Sequence, residues 1–547
     1  MFALFIFISS LFASSDLMSI CSSELERSFS QLQEKEVYWI GLGVTDLETV
    51  TLRAQNGASS GHYVSKNRYA DIDLRIGNAS LDNTHPLRDA GWFHEDTHFF
   101  TELPIENNPI AIQTALWKKF DEAYKSGSRR LIKIKSNDVV KVEMEDQSAD
   151  FSMMPASKYA TVIEPFALDE ERWMSFIKKH SSQTLNHPDI LESQVTLFAE
   201  NKITHILNTE GTRIIDQRLH YRISVYMSTI ADDGMQIETY NYKDLAQLPP
   251  PEELDLSSMM EESIKKLLAL KEAPVVDPYV GPAILKGRAA AVFFHEIFGH
   301  RAEGHRQKDE SEGKTLTDKI GKTIFPEFIS IYDDPTLQDW NGTDLNGYYL
   351  YDDEGVKSER VDLVENGVLQ QFLLSRSPIE NFPKSNGHGR RQIEHAPVAR
   401  QGNLIVQSSL NMSYDALREE LIKQIKTQEK EFGLIFDDIS GGFTFTGRTT
   451  PNSYNVRPVT VWKVYADGRP DELVRGVDMI GTPLLTFSRI IGSSNTSSVF
   501  NGSCGAESGW VPVSAVAPDL LISEVEVQRK EKGSDRPPIL QSPSVEH

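Results

Sequence analysis

The sequence is poor in cysteine, with only Cys21 and Cys504 among its 547 residues. Two cysteines form at most one disulfide, so a framework of several bridges is excluded and the domains must rest on ordinary hydrophobic cores. For this pair three roles stay open at this point: one disulfide in an exported protein, a metal ligand, or an inert buried thiol.

Positive charge is also in deficit. The chain has 56 Lys and Arg residues against 79 Asp and Glu residues, which gives a net charge of -23. Nucleic acids and anionic membranes both require positive surface on their protein partners. We therefore expect neither of them to be the main partner.

Long apolar runs are missing except at the start of the chain. Residues 2–12 are largely apolar, which is too short for the ~20 residues of a membrane span but suits a signal peptide. Small residues at 13–15 resemble a cleavage region, so we expect a signal peptide over 1–15 and export to the periplasm or beyond the cell. The first basic residue is Arg27, so a buried N-terminal strand or helix in a cytoplasmic protein is the alternative. We expect no membrane insertion after signal removal.

The length predicts several domains of α+β class. Runs of β-forming residues separated by turns over 194–242 predict an antiparallel meander, and Asn366-Gly367 predicts a tight hairpin. A basic strand is expected at 131–135. The expected regions are a mixed α/β N-terminal region (22–160), a middle region of meander and helix (161–272), a largely antiparallel, β-rich catalytic domain (273–528) and a disordered tail (529–547).

The first of two histidine–glutamate clusters is His94-Glu95-Asp96-Thr97-His98. It matches HExxH, which on a helix sets two imidazoles one turn apart with a general base between them. The pair at 96–97 is polar where a metallopeptidase helix usually buries apolar side chains, and Gly91 and Pro104 flank the segment. A polar surface turn explains this cluster better than a catalytic site.

The second cluster, His295-Glu296-Ile297-Phe298-Gly299-His300, follows an apolar stretch at 289–294 that predicts a buried helix over 285–298. Residues five apart on a regular helix are turned by about 140°, so both rings could not face one ion. Gly299 can leave helical geometry. The spacing therefore predicts a helix that ends or deforms between the two histidines; otherwise one is a core histidine and the other is exposed.

A third ligand is needed, because catalytic zinc sites use three protein ligands and a water molecule. His305 and Glu303 lie close in sequence. Cys504 lies far along the chain, and the glycines that flank it at 502 and 505 would let a thiolate approach closely. The residues alone leave these three candidates open.

Residues 275 to 528 resemble the TldD/PmbA metallopeptidases, on the TldD side. The resemblance rests on the motif HExxxH at His295-Glu296 and His300, and on Ala302-Glu303-Gly304 after it. It continues through further segments at 281–282, 287–291, 352–355, 361–367, 386–391, 474–476 and 502–513. PmbA-type relatives lack the metal motif, so its presence here implies an active subunit.

The resemblance implies a mixed N-terminal domain, a β-rich C-terminal domain and a dimer that encloses the site. It implies Zn²⁺ held by His295, His300 and Cys504, with Glu296 as the base that activates water. The disulfide between the two cysteines is then not expected. Where many members have Asp, this chain has His305, which leaves His305 and Glu303 open as accessory ligands.

The predicted function is a zinc-dependent peptidase of short or unfolded polypeptides, acting as a homodimer or as a heterodimer with a related subunit. The glycine-rich basic segment with Asn386, His388, Arg390 and Arg391 is a candidate for holding substrate backbone or a terminal carboxylate; a solvated turn is the alternative. The competing function is a non-catalytic binding or maturation subunit with a structural metal or none. A closed four-ligand site would favour that alternative.

Overall fold

The computed structural model describes residues 2–87, 97–137, 146–449 and 453–530. Within these ranges no helix combines the length and the apolarity that crossing a bilayer requires. The helices are α1 (Phe2–Leu32), α2 (Pro109–Asn137), α3 (Glu170–Ser181), α4 (Leu256–Glu272), α5 (Gly287–Ile297), α6 (His305–Lys308), α7 (Tyr414–Thr427) and α8 (Pro483–Ser488).

An eight-stranded sheet dominates the first half of the chain, with the order β3-β2-β1-β6-β7-β5; β4 pairs with β2, and β8 with β7. The predicted meander is confirmed as β6, β7 and β8, which pair antiparallel in succession. Because β1 pairs with β6, the regions 22–160 and 161–272 share one sheet. The strands are β1 (Val37–Gln55), β2 (Ala58–Asn78), β3 (Leu81–Asp82), β4 (His98–Leu103), β5 (Lys158–Ala160), β6 (Glu192–Asn208), β7 (Arg213–Ile230) and β8 (Gln236–Leu245).

Four helices pack on this sheet and form two separate hydrophobic cores with it. Helices α1 and α2 pack on one end of the sheet, and α3 and α4 on the other. The strand expected at 131–135 is wrong, because these residues lie inside α2. Leu131 and Ile134, three positions apart, are both buried on one helix face. The buried residues of this segment thus follow the spacing of a helix and not the alternation of a strand.

An eleven-stranded sheet dominates the second half, with the order β14-β13-β10-β17-β23-β21-β19-β18-β9. Strand β9 pairs with both β18 and β23, so β9, β18, β19, β21 and β23 close into a ring. Most pairings are antiparallel, which confirms the α+β class with a β-rich C-terminal part. The strands are β9 (Tyr279–Leu285), β10 (Ile329–Asp333), β11 (Asp339–Trp340), β12 (Thr343–Asp344), β13 (Val361–Glu365), β14 (Val368–Leu369), β15 (Gly389–Arg390), β16 (Val398–Ala399), β17 (Asn403–Ser408), β18 (Phe432–Thr444), β19 (Tyr454–Tyr465), β20 (Glu472–Val474), β21 (Val477–Gly481), β22 (Ile490–Ala506) and β23 (Gly509–Arg529).

Helix α5 lies in the interior of this C-terminal unit. Its residues are buried almost throughout and join the largest apolar cluster of the chain, together with residues of β18, β19 and β23. The predicted hairpin at Asn366-Gly367 is confirmed, since both residues have positive φ (48° and 79°) between β13 and β14. The core therefore lies around the helix that carries the HExxxH motif.

Candidate metal centre

Helix α5 brings His295 and Glu296 into the protein interior. The helix begins at Gly287, which has φ 40° and whose N–H donates to Asp519 Oδ1 at 2.6 Å. Near the other end of the helix, the side chains of His295 and Glu296 are buried. Strong apolar packing along the helix thus fixes two polar side chains at a depth where electrostatic interactions are little screened.

The helix ends between the two histidines, as the spacing predicts. Helix α5 stops at Ile297, Phe298 follows with φ -114°, and residues Gly299–Ala302 form a 3₁₀ turn. This change of pitch brings the rings of His295 and His300 to a centroid distance of 5.1 Å. The reason for glycine at 299 is steric, because a Cβ there would overlap the side-chain amide of Gln401.

Cys504 completes a three-residue cluster. It lies on β22 opposite Val511 of β23, and its Sγ is 3.3 Å from His300 Nε2. The ligand atoms of His295, His300 and Cys504 all lie within 4.8 Å of one another. Nδ1 of His295 is buried without a hydrogen-bond partner. Both cysteines are free, so the two do not form a disulfide.

This donor set fits a zinc ion. Thiolate and imidazole are the ligands that zinc prefers, and three protein ligands leave one tetrahedral position open. Among the residues that the structure describes, the cluster contains three donors rather than four. An open position is characteristic of catalytic rather than structural zinc sites.

The charges of the cluster reinforce one another. Burial opposes ionisation of the Cys504 thiol, but His300 and His295 outweigh it and hold its pKa well below the usual range. Burial likewise opposes protonation of His300, but Cys504 and Glu303 outweigh it and raise its pKa well above the usual range. Without metal, the cluster therefore tends toward a thiolate beside an imidazolium, and a bound cation would replace the proton of the imidazolium.

Glu303 lies behind His300 rather than in the cluster. It is fully buried, and its Oε2 is 3.1 Å from His300 Nδ1 and 3.0 Å from Arg306 Nε. Its Oε1 is 3.3 Å from Arg400 Nε, at ion-pair distance but without hydrogen-bond alignment. A carboxylate on the far nitrogen of a ligand histidine fixes its ring orientation and tautomer. Glu303 is therefore placed to orient His300 and lies outside the three-residue cluster, so its accessory role as a ligand stays a prediction.

Arg400 connects this carboxylate to the strand that carries the cysteine. Its Nη2 donates to the carbonyl oxygen of Cys504 at 2.7 Å, and its Nη1 donates to Ser508 Oγ and to Gly509 O at 3.0 Å. The guanidinium is fully buried. One arginine thus holds the β22–β23 turn against the residue that orients His300.

The Glu296 carboxyl lies close enough to the cluster for His295, His300 and Cys504 all to act on its pKa. Gly442 faces it so closely that a Cβ there would lie 3.1 Å from Glu296 Cγ. Burial raises the pKa of the Glu296 carboxyl, although His295 and His300 oppose the shift. A carboxyl whose pKa is moved upward is better suited to accept a proton near neutral pH.

Other residues predicted for the site lie elsewhere. His305 lies on α6, where its Nε2 is 3.4 Å from Glu507 Oε2, and it does not belong to the cluster. Its role as an accessory ligand stays a prediction. His94 and Glu95 of the first histidine–glutamate cluster lie outside the described residues, whereas His98 begins β4 and its Nε2 lies 2.8 Å from Asp71 Oδ1.

The segment 386–391 divides into structural and cavity-lining residues. Asn386 is bound to Leu374 N and Phe372 O, and His388 is fully buried between Asn386 and Asp333. These two residues therefore hold the loop together, and their contact with substrate stays a prediction. Arg390 and Arg391 line a cavity and remain candidates.

That cavity has a volume of about 1240 Å³ and lies between the first sheet and the C-terminal unit. None of the three cluster residues lines it. Ser503 does so, while Cys504, the next residue along β22, belongs to the cluster. Val511, the residue that pairs with Cys504 across the two strands, also lines the cavity, so the cavity lies next to the cluster.

Comparisons with known proteins relate the chain to metallopeptidases. A family model described as the PmbA/TldA metallopeptidase C-terminal domain matches residues 279–529. A metalloprotease of Methanothermobacter thermautotrophicus is 27% identical over 61% of this chain and 69% of its own length. A zinc metalloprotease TldD homolog of Saccharolobus solfataricus is 21% identical over 66% of this chain and 76% of its own length.

These matches support membership in the TldD/PmbA metallopeptidase family, with the family model carried by residues 279–529. For metalloproteases of Archaeoglobus fulgidus and Methanocaldococcus jannaschii, the match spans about half of their length, 51% and 47%. The crystal structure of TldE from Thermococcus kodakarensis has the same fold, with a TM-score of 0.60 at 15% identity over 93% of this chain and all of that one.

Three residues around the TldD/PmbA motif were not predicted. Arg400 and Gln401 approach the cluster from a loop about a hundred residues away, and no local pattern marks them. Gly442 had a weak signal, because a glycine within a strand often marks close approach of another group. The contacts of these residues arise from packing between distant segments.

Proposed function

We propose that this TldD/PmbA member is a zinc-dependent peptidase that hydrolyses peptide bonds of short or unfolded polypeptides. His295, His300 and Cys504 hold the zinc ion, and Glu296 is the catalytic base. The observation that carries the proposal is that three ligand atoms lie within 4.8 Å of one another, next to the buried carboxyl group of Glu296. They come together although Cys504 follows His300 by 204 residues.

The chemistry needs a polarised carbonyl, an activated water molecule and a proton carrier. Zinc, when bound, acts as a Lewis acid and lowers the pKa of water to about 7. Glu296 accepts a proton at its carboxylate as water attacks the peptide carbonyl carbon, and it returns that proton to the leaving nitrogen as the C–N bond breaks. Glu303 keeps His300 in one tautomer throughout, because its carboxylate occupies the Nδ1 side of the ring.

The alternative of a non-catalytic subunit has less support. A structural zinc site would need a fourth protein ligand, and His305, the nearest candidate in sequence, is turned toward Glu507. A purely structural role would also leave a buried carboxylate at Glu296 without a function.

Zinc content and peptide cleavage, measured together, test the proposal. Glu296→Gln should retain one zinc ion per chain and lose cleavage of an unfolded polypeptide by a factor of 100 or more, since general-base catalysis contributes about 10²–10⁴-fold. Cys504→Ser should lose zinc and cleavage together. Glu312→Gln is the control, because Glu312 is also a largely buried carboxylate near this region but pairs with Arg306. Undiminished cleavage by Glu296→Gln would reject the base assignment.

Assembly and location are further proposals. We propose a dimer, either of two copies or with a related subunit, and the fold shared with TldE supports a related partner. The apolar residues 2–12 support export. Sedimentation of the purified chain tests the first proposal. Mass analysis of the mature N-terminus tests the second, which predicts loss of about the first 15 residues.

A further inference from the structure

The cavity between the two halves of the molecule contains arginines in two different electrostatic situations. Arg222 is paired with Asp244 at 2.7 Å, and Arg391 lies 3.5 Å from Asp71. Arg218 and Arg390 line the same cavity, yet no described carboxylate lies within 4.0 Å of either guanidinium. Two of the four cavity arginines are therefore partnered and two are not.

The two unpaired arginines have only neutral partners. Nη2 of Arg218 donates to the carbonyl oxygen of Asn346 at 2.5 Å, and Nη1 of Arg390 donates to that of Gln401 at 2.5 Å. The Arg390 guanidinium also lies over the Tyr349 ring, 4.7 Å from its centroid. Each guanidinium has five N–H donors in a planar fork, so most donors of this pair remain available toward the cavity.

Arg218 and Arg390 are close enough to repel each other. Burial lowers the pKa of Arg218 to about 10, and the charge of Arg390 adds to this shift although Glu200 opposes it. In the same cavity, burial raises the pKa of Asp216 to about 6, although Lys202 and Arg218 oppose the shift, and this carboxyl is not within ion-pair distance of Arg218. Because no carboxylate lies within ion-pair distance of either guanidinium, an anion that binds both would gain charge-assisted hydrogen bonds that no protein group now supplies.

We propose that Arg218 and Arg390 form a binding site for the carboxylate at the C-terminus of a peptide. Planar guanidinium groups bind carboxylates in a bidentate manner, and two of them on one cavity wall can hold both oxygens. This deepens the proposed peptidase function by naming a substrate class: short peptides with a free C-terminus.

A few contacts connect the two arginines to the segments around the metal centre. Arg390 donates to the backbone of Gln401, whose side-chain Nε2 lies 3.4 Å from the carbonyl oxygen of His295. On the other side, Ser503 lines the cavity next to Cys504. A peptide anchored at the arginines would thus lie against β22, the strand that carries Cys504.

Binding of three peptides of equal length to zinc-loaded Glu296→Gln protein, measured by calorimetry, tests the proposal without turnover. The peptides are a neutral sequence with a free C-terminus, its C-terminal amide, and an amide in which one internal Gln is replaced by Glu. The free acid should bind about tenfold tighter or more than either amide, as charge-assisted hydrogen bonds are worth. Equal binding of the free acid and the neutral amide overturns the proposal. Binding of the Glu-containing amide as tightly as the free acid overturns the terminal assignment.

Variants then locate the effect. Arg218→Met and Arg390→Met, each combined with Glu296→Gln, should reduce binding of the free acid to that of the amide and leave amide binding unchanged. Lys202→Met is the matched control: Lys202 is a cation of the same cavity whose charge already acts on Asp216, so the preference should persist. A preference that survives both arginine changes overturns the proposal.

Two readouts keep this result separate from the proposed activity. Unfolding midpoints and zinc content show whether a variant is folded, and the comparison of peptides in the parent protein needs no arginine change at all. Peptide hydrolysis by the wild-type chain is measured independently. Selective binding without any hydrolysis would reject the peptidase function and retain the carboxylate site. Hydrolysis without selective binding would reject the carboxylate site and retain the peptidase function.

Discussion

Replacing Glu303 with glutamine should weaken zinc binding although Glu303 lies outside the three-residue cluster. The exchange keeps the size of the side chain but removes the charge that faces His300 Nδ1 at 3.1 Å, Arg306 Nε at 3.0 Å and Arg400 Nε at 3.3 Å. Loss of a partner that orients a ligand typically costs 10- to 100-fold in metal affinity. We expect a loss of that size for Glu303→Gln.

Glu303→Gln should also lower the stability of the fold, and the contacts of Glu303 set the size of the loss. Arg306 keeps Glu312 and Glu507 as partners, but Arg400 is left with neutral acceptors alone. Breaking a buried ion pair by neutralising one member costs about 3–5 kcal/mol. Urea unfolding of the metal-free protein measures this term separately from the zinc affinity, which competition with a chromophoric chelator determines.

Glu312→Gln is the matched control for this experiment. Glu312 lies 2.7 Å from Arg306 Nη1, so its loss disturbs the same arginine without touching His300. We expect reduced stability with unchanged zinc affinity. If Glu303→Gln and Glu312→Gln bound zinc equally well, the orienting role of Glu303 would be refuted.

Three further predictions concern single positions. In metal-free protein at neutral pH, an alkylating reagent should modify Cys504 and spare Cys21. The histidines outweigh burial and lower the pKa of the Cys504 thiol, whereas burial raises the pKa of the Cys21 thiol to about 12. Peptide mass mapping measures the labelling, and equal labelling of both cysteines would contradict this prediction. Gly299→Ala should lower stability by about 1–3 kcal/mol through overlap with Gln401, and adding Gln401→Ala should recover most of the loss in thermal unfolding; an unaffected single variant would contradict the steric account. Asp216→Asn should stabilise the fold at pH 8 by up to about 3 kcal/mol and have no effect below pH 3.8. Burial raises the folded-state pKa of Asp216 from 3.8 to about 6, so the wild-type protein loses stability as pH rises through that interval. A difference in urea unfolding that does not depend on pH would contradict this prediction.

Elements decided by local forces were predictable from the sequence. The apolar run at 289–294 predicted a buried helix, which the structure has as α5, and Asn366-Gly367 predicted a tight turn whose φ angles are both positive. The five-residue spacing of the histidines required the helix to end before His300. These patterns succeeded because propensity and burial favour the same structure in each.

Elements decided by distant contacts were not predictable. Residues 131–135 resembled a strand on their own but continue a long helix whose face packs on the first sheet. Pairing of β1 with β6 joins regions that appeared separate. Arg400 and the unpaired Arg218 carry no local signal, because their roles depend on groups more than 100 residues away.

X-ray absorption at the zinc edge of the loaded protein tests the central claim most directly, namely that one ion sits between two imidazoles and a thiolate. We expect two nitrogen scatterers at about 2.0 Å, one sulfur at about 2.3 Å and one light atom in the remaining position, with the sulfur shell missing in Cys504→Ser. A shell of nitrogen and oxygen alone in the wild-type protein would contradict it.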